Sequence, residues 1–433
     1  MIIRSFVLIF LFFLQSSAYA VEKREIDSIF KAKCMDCHSN ETHLPWYAEL
    51  PIAKQLITAD INKGRSYFLF SRDFFQYENH EDIPKHVIKR LQHEIAHDYM
   101  PPYIYRFAHL DKIISQEEKQ KILAFLNQQE ESLLEPLPLK SELKLDSKKV
   151  ALGKKLYHDT RLSHDNSLSC ASCHDLAKGG TDQAISSTGI NGQIGPINSP
   201  TTYNSVYNIR QFWDGRAQDL EEQAHGPVNN PGEMGSDWKE VIAKLKKDSE
   251  LMQEFKEVYD TKKITGDMIA NAIAEFEKSL ITANSRFDAY LRGDKTVLSQ
   301  SELKGYKLFE KHNCSSCHFG KAIGGRIFRK MGIAHDYFND RKQGLNGLKA
   351  KAITEVDAGL FNQTHKEADI GVFKVPILRN IELSFPYLHD GSLNTLEQTV
   401  EVMAYYQNGT KIKKQERDLI VAFLKTLTDE DLK

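Results

Sequence analysis

The sequence has no cysteine to spare, no long apolar run beyond its first residues, no excess of either charge and little strand patterning. Each shortage removes a class of protein. The 433 residues carry 57 Lys and Arg against 59 Asp and Glu, a formal net charge of -2. No broad basic field exists for nucleic acid, which is excluded as a partner. Only Phe6 to Leu14 forms a sizeable apolar run, and it is short for a membrane span. Alternation at period two is sparse, so strands should be few and the fold mainly α. With 41% apolar and 27% charged residues, the chain is not disordered and is long enough for two or three domains with their own cores.

What is there begins with a processing signal. Arg4 supplies a positive start, Phe6 to Leu14 an apolar stretch, and Ala18-Tyr19-Ala20 a small-residue cleavage site. Residues 1–20 therefore read as a signal peptide that sends the chain to the periplasm. If left uncleaved, Met1 to Leu14 would make a marginal anchor in the inner membrane.

An exported protein with six cysteines would ordinarily pair them as disulfides. The spacing argues otherwise. All six fall in three copies of Cys-x-x-Cys-His: Cys34, Cys37 and His38; Cys170, Cys173 and His174; Cys314, Cys317 and His318. Two thiols three positions apart on a turn can both add to the vinyl groups of a porphyrin, and the adjacent His then faces the iron. A zinc site would need a second ligand pair nearby. Three covalently bound haem c groups are expected.

Downstream of each motif lies an amphipathic segment with apolar residues at helical spacing: Lys119–Gln128, Ala270–Ile281 and Arg417–Leu427. Ile122-Leu123-Ala124-Phe125-Leu126 and Ile420-Val421-Ala422-Phe423-Leu424 read as one closing helix used twice, and as core. The expected architecture is three c-type cytochrome-like haem domains in tandem: 21–130, 147–298 and 299–433. A Pro-containing, charged linker spans 131–146. The Gly-rich stretch from Gly179 to Asn204 lacks helical period and reads as loop around a haem.

From about Leu152 onward the sequence resembles the bacterial dihaem cytochrome c peroxidase family, which includes the dihaem enzymes that mature methylamine dehydrogenase. The resemblance runs through Leu152-Gly153-Lys154-Lys155-Leu156-Tyr157, Phe212-Trp213-Asp214-Gly215-Arg216-Ala217, Glu221-Glu222-Gln223-Ala224 and Asn230-Pro231-Gly232-Glu233-Met234. It continues in Val375-Pro376-Ile377-Leu378-Arg379-Asn380 and Pro386-Tyr387-Leu388-His389-Asp390-Gly391. It implies a peroxide site at the haem of His174 and an electron-transfer haem at His318. It makes Glu233 the group that moves the proton during O–O cleavage, Gln223 its hydrogen-bonding companion and Trp213 an aromatic relay between the haems. Met403 becomes the second ligand of the His318 iron, which would raise its potential. Asn198, with backbone oxygens of Ser384 and Pro386, resembles the family's calcium position, where oxygen donors suit a hard cation.

One departure stands out. Many members close the peroxide haem with a distal His, and an ungapped alignment puts Ile190 there, with no His between His174 and His225. The iron would then be five-coordinate from the start, with no need of reductive activation.

The N-terminal module resembles the small haem-binding domain fused to peroxidases in the trihaem quinol peroxidases. The match lies in Cys34-Met35-Asp36-Cys37-His38-Ser39, Pro45-Trp46-Tyr47 and Met100-Pro101-Pro102-Tyr103. Met100, held ahead of a proline pair, is the expected second axial ligand; His93, His97 and His109 are rivals. The implied function is reduction of hydrogen peroxide to water, with quinol or a small cytochrome c as donor, in a chain that could pair as a homodimer. A protein-modifying oxidase is the first alternative, although Met403 stands where those relatives carry Tyr. A non-enzymatic electron carrier is the second, and Glu233 and Gln223 argue against it.

Overall fold

The structure, a computed structural model, describes residues 23–39, parts of 46–127, and 143–433 apart from 262. The expected signal peptide or anchor at 1–20 and most of the 131–146 linker lie outside the described residues. No helix among the described residues is long and apolar enough to cross a membrane.

The apolar residues gather into three large cores. In the first, α1 (Lys23–Lys33), α2 (Lys85–Ala96) and α3 (Gln116–Asn127) bury Ile26, Phe30, Val87, Leu91, Ile122 and Phe125 together. The rings of Phe30 and Phe74 meet edge to face at 5.2 Å, a favoured aromatic arrangement.

The second core is built by α4 (Ser147–Tyr157), α5 (Leu220–Asn229), α6 (Trp238–Leu245), α7 (Ser249–Tyr259) and α8 (Gly266–Ser279). Their starts are written locally. Asp146, Asp219, Asp237, Asp248 and Thr265 each accept a backbone N–H of the first turn, satisfying donors that a helix start leaves open.

The third core takes α9 (Arg286–Leu291), α10 (Gln300–Lys311), α11 (Tyr337–Gln343), α12 (Leu396–Asn408) and α13 (Lys414–Lys425). Phe287, on the N-terminal side of the expected division at 298/299, packs edge to face on Phe423 at 5.0 Å and belongs to this core.

The second and third cores share one device. α4 crosses α8 at Gly153, where a Cβ would lie 1.8 Å from the Ala272 carbonyl oxygen. α10 crosses α13 at Gly305, where a Cβ would lie 2.0 Å from the Leu419 oxygen. In each case the phenylalanine of the closing helix, Phe276 or Phe423, sits over the glycine. The two helix pairs come this close because glycine has no side chain.

The segments read as closing helices fall on α3, α8 and α13, and the fold is mainly α as expected. The described strands are β1 (Phe328–Lys330) and β2 (Val372–Lys374), an antiparallel pair with Phe328 opposite Lys374. Gly179–Asn204 is irregular apart from short 3-10 turns, as its composition implied.

Candidate haem sites

The C-terminal motif sits where α10 ends. Asn313 takes a left-handed backbone, φ 57°, a conformation asparagine tolerates better than most residues. The chain then turns so that the His318 N–H donates to the Cys314 carbonyl at 2.9 Å. Cys314, Cys317 and His318 open into a largely apolar cavity of about 220 Å³, and Met403 of α12 lines the same cavity. Two thiols, an imidazole and a thioether in one apolar cleft fit a haem c held by His and Met. Burial pushes the His318 imidazole down to about 4, so it is neutral at ordinary pH, as a metal ligand must be. His389 also lines the cavity, but its Nε2 lies 2.7 Å from Asp357 Oδ1 and is engaged there.

The N-terminal motif has its own smaller cleft, lined by Cys34, Cys37, His38, Phe68, Phe70, Met100 and Tyr105 among others. His38 Nδ1 lies 2.8 Å from the Phe68 carbonyl oxygen. Donation there fixes the orientation of the ring in the cleft. Of the rivals to Met100, His109 is held by Tyr47 Oη at 2.6 Å and stacks on Tyr105 at 4.0 Å. His97 and the side chain of His93 lie outside the described residues.

The middle motif forms the single turn Cys170–Cys173, which Ser169 and Ser172 cap reciprocally. The Tyr157 hydroxyl donates to the His174 carbonyl at 2.7 Å. Burial lowers the pKa of His174 against the pull of the Gly180 and Pro200 backbone. The buried Nδ1 atoms of His174 and His318 make no well-formed hydrogen bond among the described residues.

Glu233 stands close enough to this turn for its charge to raise the Cys173 thiol. It is half-buried, and Asn230 Nδ2 donates to its Oε1 at 2.7 Å. Burial raises its carboxyl above the ordinary value, while Arg216 and the Asn230 bond pull the other way. Arg216 lies 3.5 Å over the ring of Phe212, and Phe212 in turn abuts Gly226 of α5, the helix that carries Gln223. Gln223 is half-buried. Ile190 is 6% exposed and its N–H donates to the Glu233 carbonyl at 2.8 Å. His225 accepts from the Trp238 indole at 2.8 Å, so it is engaged elsewhere.

Trp213 stands between the surroundings of Glu233 and the cavity of His318. Its neighbours Phe212 and Arg216 belong to the surroundings of Glu233, yet the Trp213 ring lines the cavity of Cys314 and Met403. Its indole N–H donates to the Asn198 carbonyl at 2.9 Å. Asn198, Ser384 and Pro386 share that cavity wall, and the Asn198 amide nitrogen donates to the Ala184 carbonyl at 2.8 Å.

Sequence reasoning passed over several residues that complete these sites. Arg216 and Asn230 stood inside quoted motifs with no role assigned. Lys374 was not singled out, and the buried group of Arg341, Asp357, His389 and Asp390 carried no local signal because its bonds span 16 to 49 positions.

Clefts that gather paired thiols with a neutral His, in a mainly helical chain, define a c-type cytochrome. Residues 147–296 match the family described as "Di-haem cytochrome c peroxidase", and residues 14–128 match "Haem-binding domain". The chain is 40% identical over 427 residues to "Cytochrome c peroxidase Ccp" of Escherichia coli, covering 95% of this chain and 89% of the relative. It is 45% identical over 300 residues to "Cytochrome c551 peroxidase" of Nitrosomonas europaea, covering 68% of this chain and 85% of the relative. Among solved structures it superposes on a MauG-like protein associated with microbial copper homeostasis, with TM-score 0.57 and 28% identity over 69% of this chain and 94% of that one. The chain belongs to the di-haem cytochrome c peroxidase family and is a haem-dependent oxidoreductase.

Proposed function

We propose that the chain is a periplasmic trihaem peroxidase that reduces hydrogen peroxide to water at the haem of His174. Cys34, Cys37 and His38 would hold a haem that receives electrons, and Cys314, Cys317 and His318 one that passes them on. The observation that carries this reading is Glu233: a half-buried carboxyl beside Cys173, with Oε1 held by Asn230 and its pKa raised by burial.

Cys170, Cys173 and His174 would hold the peroxide-site haem, Cys314, Cys317, His318 and Met403 the electron-transfer haem, and Cys34, Cys37, His38 and Met100 the entry haem. When bound, the haems supply an iron that binds peroxide and a path for single electrons. The protein's part is protonic and positional. Asn230 fixes Oε1, so Oε2 of Glu233 takes the proton from one peroxide oxygen and returns it to the other. Gln223, on the neighbouring helix, orients the bound peroxide. Ile190 is packed under the Glu233 loop and brings no imidazole, so no side chain at that position would compete with peroxide for the haem that His174 would hold. Trp213 would carry electrons between the haems of His318 and His174. Asn198 Oδ1 with the Ser384 and Pro386 carbonyls would take one calcium ion.

Support for the electron route comes from packing. α2, which lines the cleft of Cys34 and His38 through Leu91 and Ile95, also lies against Cys314–Ser316, which supports a route from the first motif to the third. Entry at His38 and delivery to His318 follows that contact, and a donor from the quinol pool suits an N-terminal module beside a membrane-directed segment. The test is peroxide consumption by the haem-loaded protein with reduced quinol and, in parallel, with reduced cytochrome c. Turnover with quinol is expected. Turnover with cytochrome c alone would withdraw the quinol assignment, and none with either would withdraw the peroxidase reading.

The electrostatics of Glu233 give a second check. Accepting a proton requires the carboxylate, so activity falls as pH drops through the Glu233 pKa, which burial places above the ordinary carboxyl value. Arg216 holds that pKa down. Arg216→Ala should therefore raise it further and move the acid limb of the kcat/KM profile to higher pH. An acid limb that stays in place would mean another group sets it.

A further inference from the structure

The cavity of Cys314, Cys317 and His318 is lined by two cationic side chains, Arg329 and Lys374, and by no Asp or Glu. Lys374 ends β2, where its main-chain N–H donates to the Trp213 carbonyl at 2.9 Å and ties the strand to the segment between the larger sites. Its side chain is 5% exposed and forms no ion pair or hydrogen bond among the described residues. Burial alone acts on its ammonium, pushing it down to about 8. Lysines are almost never fully buried unless paired, and an unpaired buried charge is strongly disfavoured. A cavity with buried cations and no anion of its own is complementary to an anionic ligand.

We propose that Lys374 is the seat of a haem propionate: its ammonium pairs with a carboxylate of the haem attached at Cys314 and Cys317, and this pairing holds the reduction potential of that haem up. The proposal rests on the haem reading of this cavity. A fixed positive charge beside the propionate offsets negative charge near the iron, favouring the ferrous over the ferric state. Because the same residue bonds the Trp213 carbonyl, the haem edge and the inter-haem segment share one anchor. Lys374 is a positioning residue by this argument.

The test uses full-length haem-loaded protein. Mass spectrometry first establishes whether haem is attached at Cys314 and Cys317, and absence of haem there would remove the reading on which the proposal depends. With haem in place, Lys374→Met and Lys374→Gln should shift the one-electron equilibrium of the His318 haem about tenfold toward ferric, a fall of about 59 mV in potentiometric titration. Lys374→Arg, which keeps the charge, should stay within about threefold of the wild-type equilibrium. If either neutral variant fails to accumulate, the other decides. Neutral variants that carry full haem and titrate with the wild type would overturn the proposal, since filling space does not set a potential.

Discussion

Glu233→Gln is expected to lower kcat/KM for peroxide by about 10²–10⁴-fold, the usual contribution of a positioned proton-transfer group, while haem content and absorption spectra stay as in the wild type. The local geometry makes this substitution a clean one. Asn230 Nδ2 donates to Oε1 at 2.7 Å, and the amide oxygen of Gln can accept the same bond. The surrounding turn is held by other bonds: the Glu233 N–H donates to the Asn230 carbonyl at 3.0 Å, and Asn230 Oδ1 accepts from the Gly232 N–H at 2.9 Å. Ile190 bonds the Glu233 carbonyl, not its side chain. The one property lost is the ability of Oε2 to take and return a proton. Steady-state peroxide consumption together with haem spectra distinguishes the outcomes, and turnover within a few-fold of the wild type would remove Glu233 from the mechanism.

Much of this was legible in the sequence because the signals were local. The three Cys-x-x-Cys-His motifs name their own ligands, and the closing helices show their apolar period over ten to twelve residues. Cap residues such as Asp146 and Thr265 stand next to the helices they start. Met403 could be reached only through the family resemblance, since nothing in the periodicity of α12 separates it from ordinary core; the structure brings it to the cavity of His318. Other features were beyond reach for a physical reason. Gly153 and Gly305 read as weak points in helices until the crossing helices are seen, when they become the positions that permit the crossings. Lys374 looks like a surface lysine in Val372-Phe373-Lys374, and only the third dimension buries it. The Arg341 group joins residues 16 and 49 positions apart, and like the domain interfaces it depends on loops without period.

Arg341→Met is expected to destabilise the C-terminal domain by about 3–5 kcal/mol, the range for removing one partner of a buried ion pair. Arg341, Asp357 and Asp390 are 0%, 3% and 2% exposed. The guanidinium meets Asp357 through both terminal nitrogens, at 2.9 and 2.7 Å, and reaches Asp390 at 2.6 Å. With His389 and Arg341 as bonding partners, the Asp357 carboxyl is held well below the usual carboxylate range. Methionine restores most of the volume but leaves two carboxylates buried without their cation. The pH dependence identifies the cause. In the wild type the depressed Asp357 contributes stability that is present above its unfolded value and fades as pH falls through its low folded value. In the variant Asp357 keeps the burial that opposes its charge but loses Arg341, so its folded value rises and the stability it contributes above its unfolded value shrinks. The deficit in denaturant midpoint should therefore be largest near neutrality and shrink on acidification below about pH 4. Adding Asp357→Asn and Asp390→Asn to Arg341→Met should recover part of the loss at neutral pH, whereas a simple packing defect would deepen with each substitution. The consequence reaches the haem site. Asp357 orients His389, whose ring stacks on Phe373 at 4.3 Å and lies 6.4 Å from Trp213, so releasing Asp357 loosens the cavity wall that faces the inter-haem tryptophan.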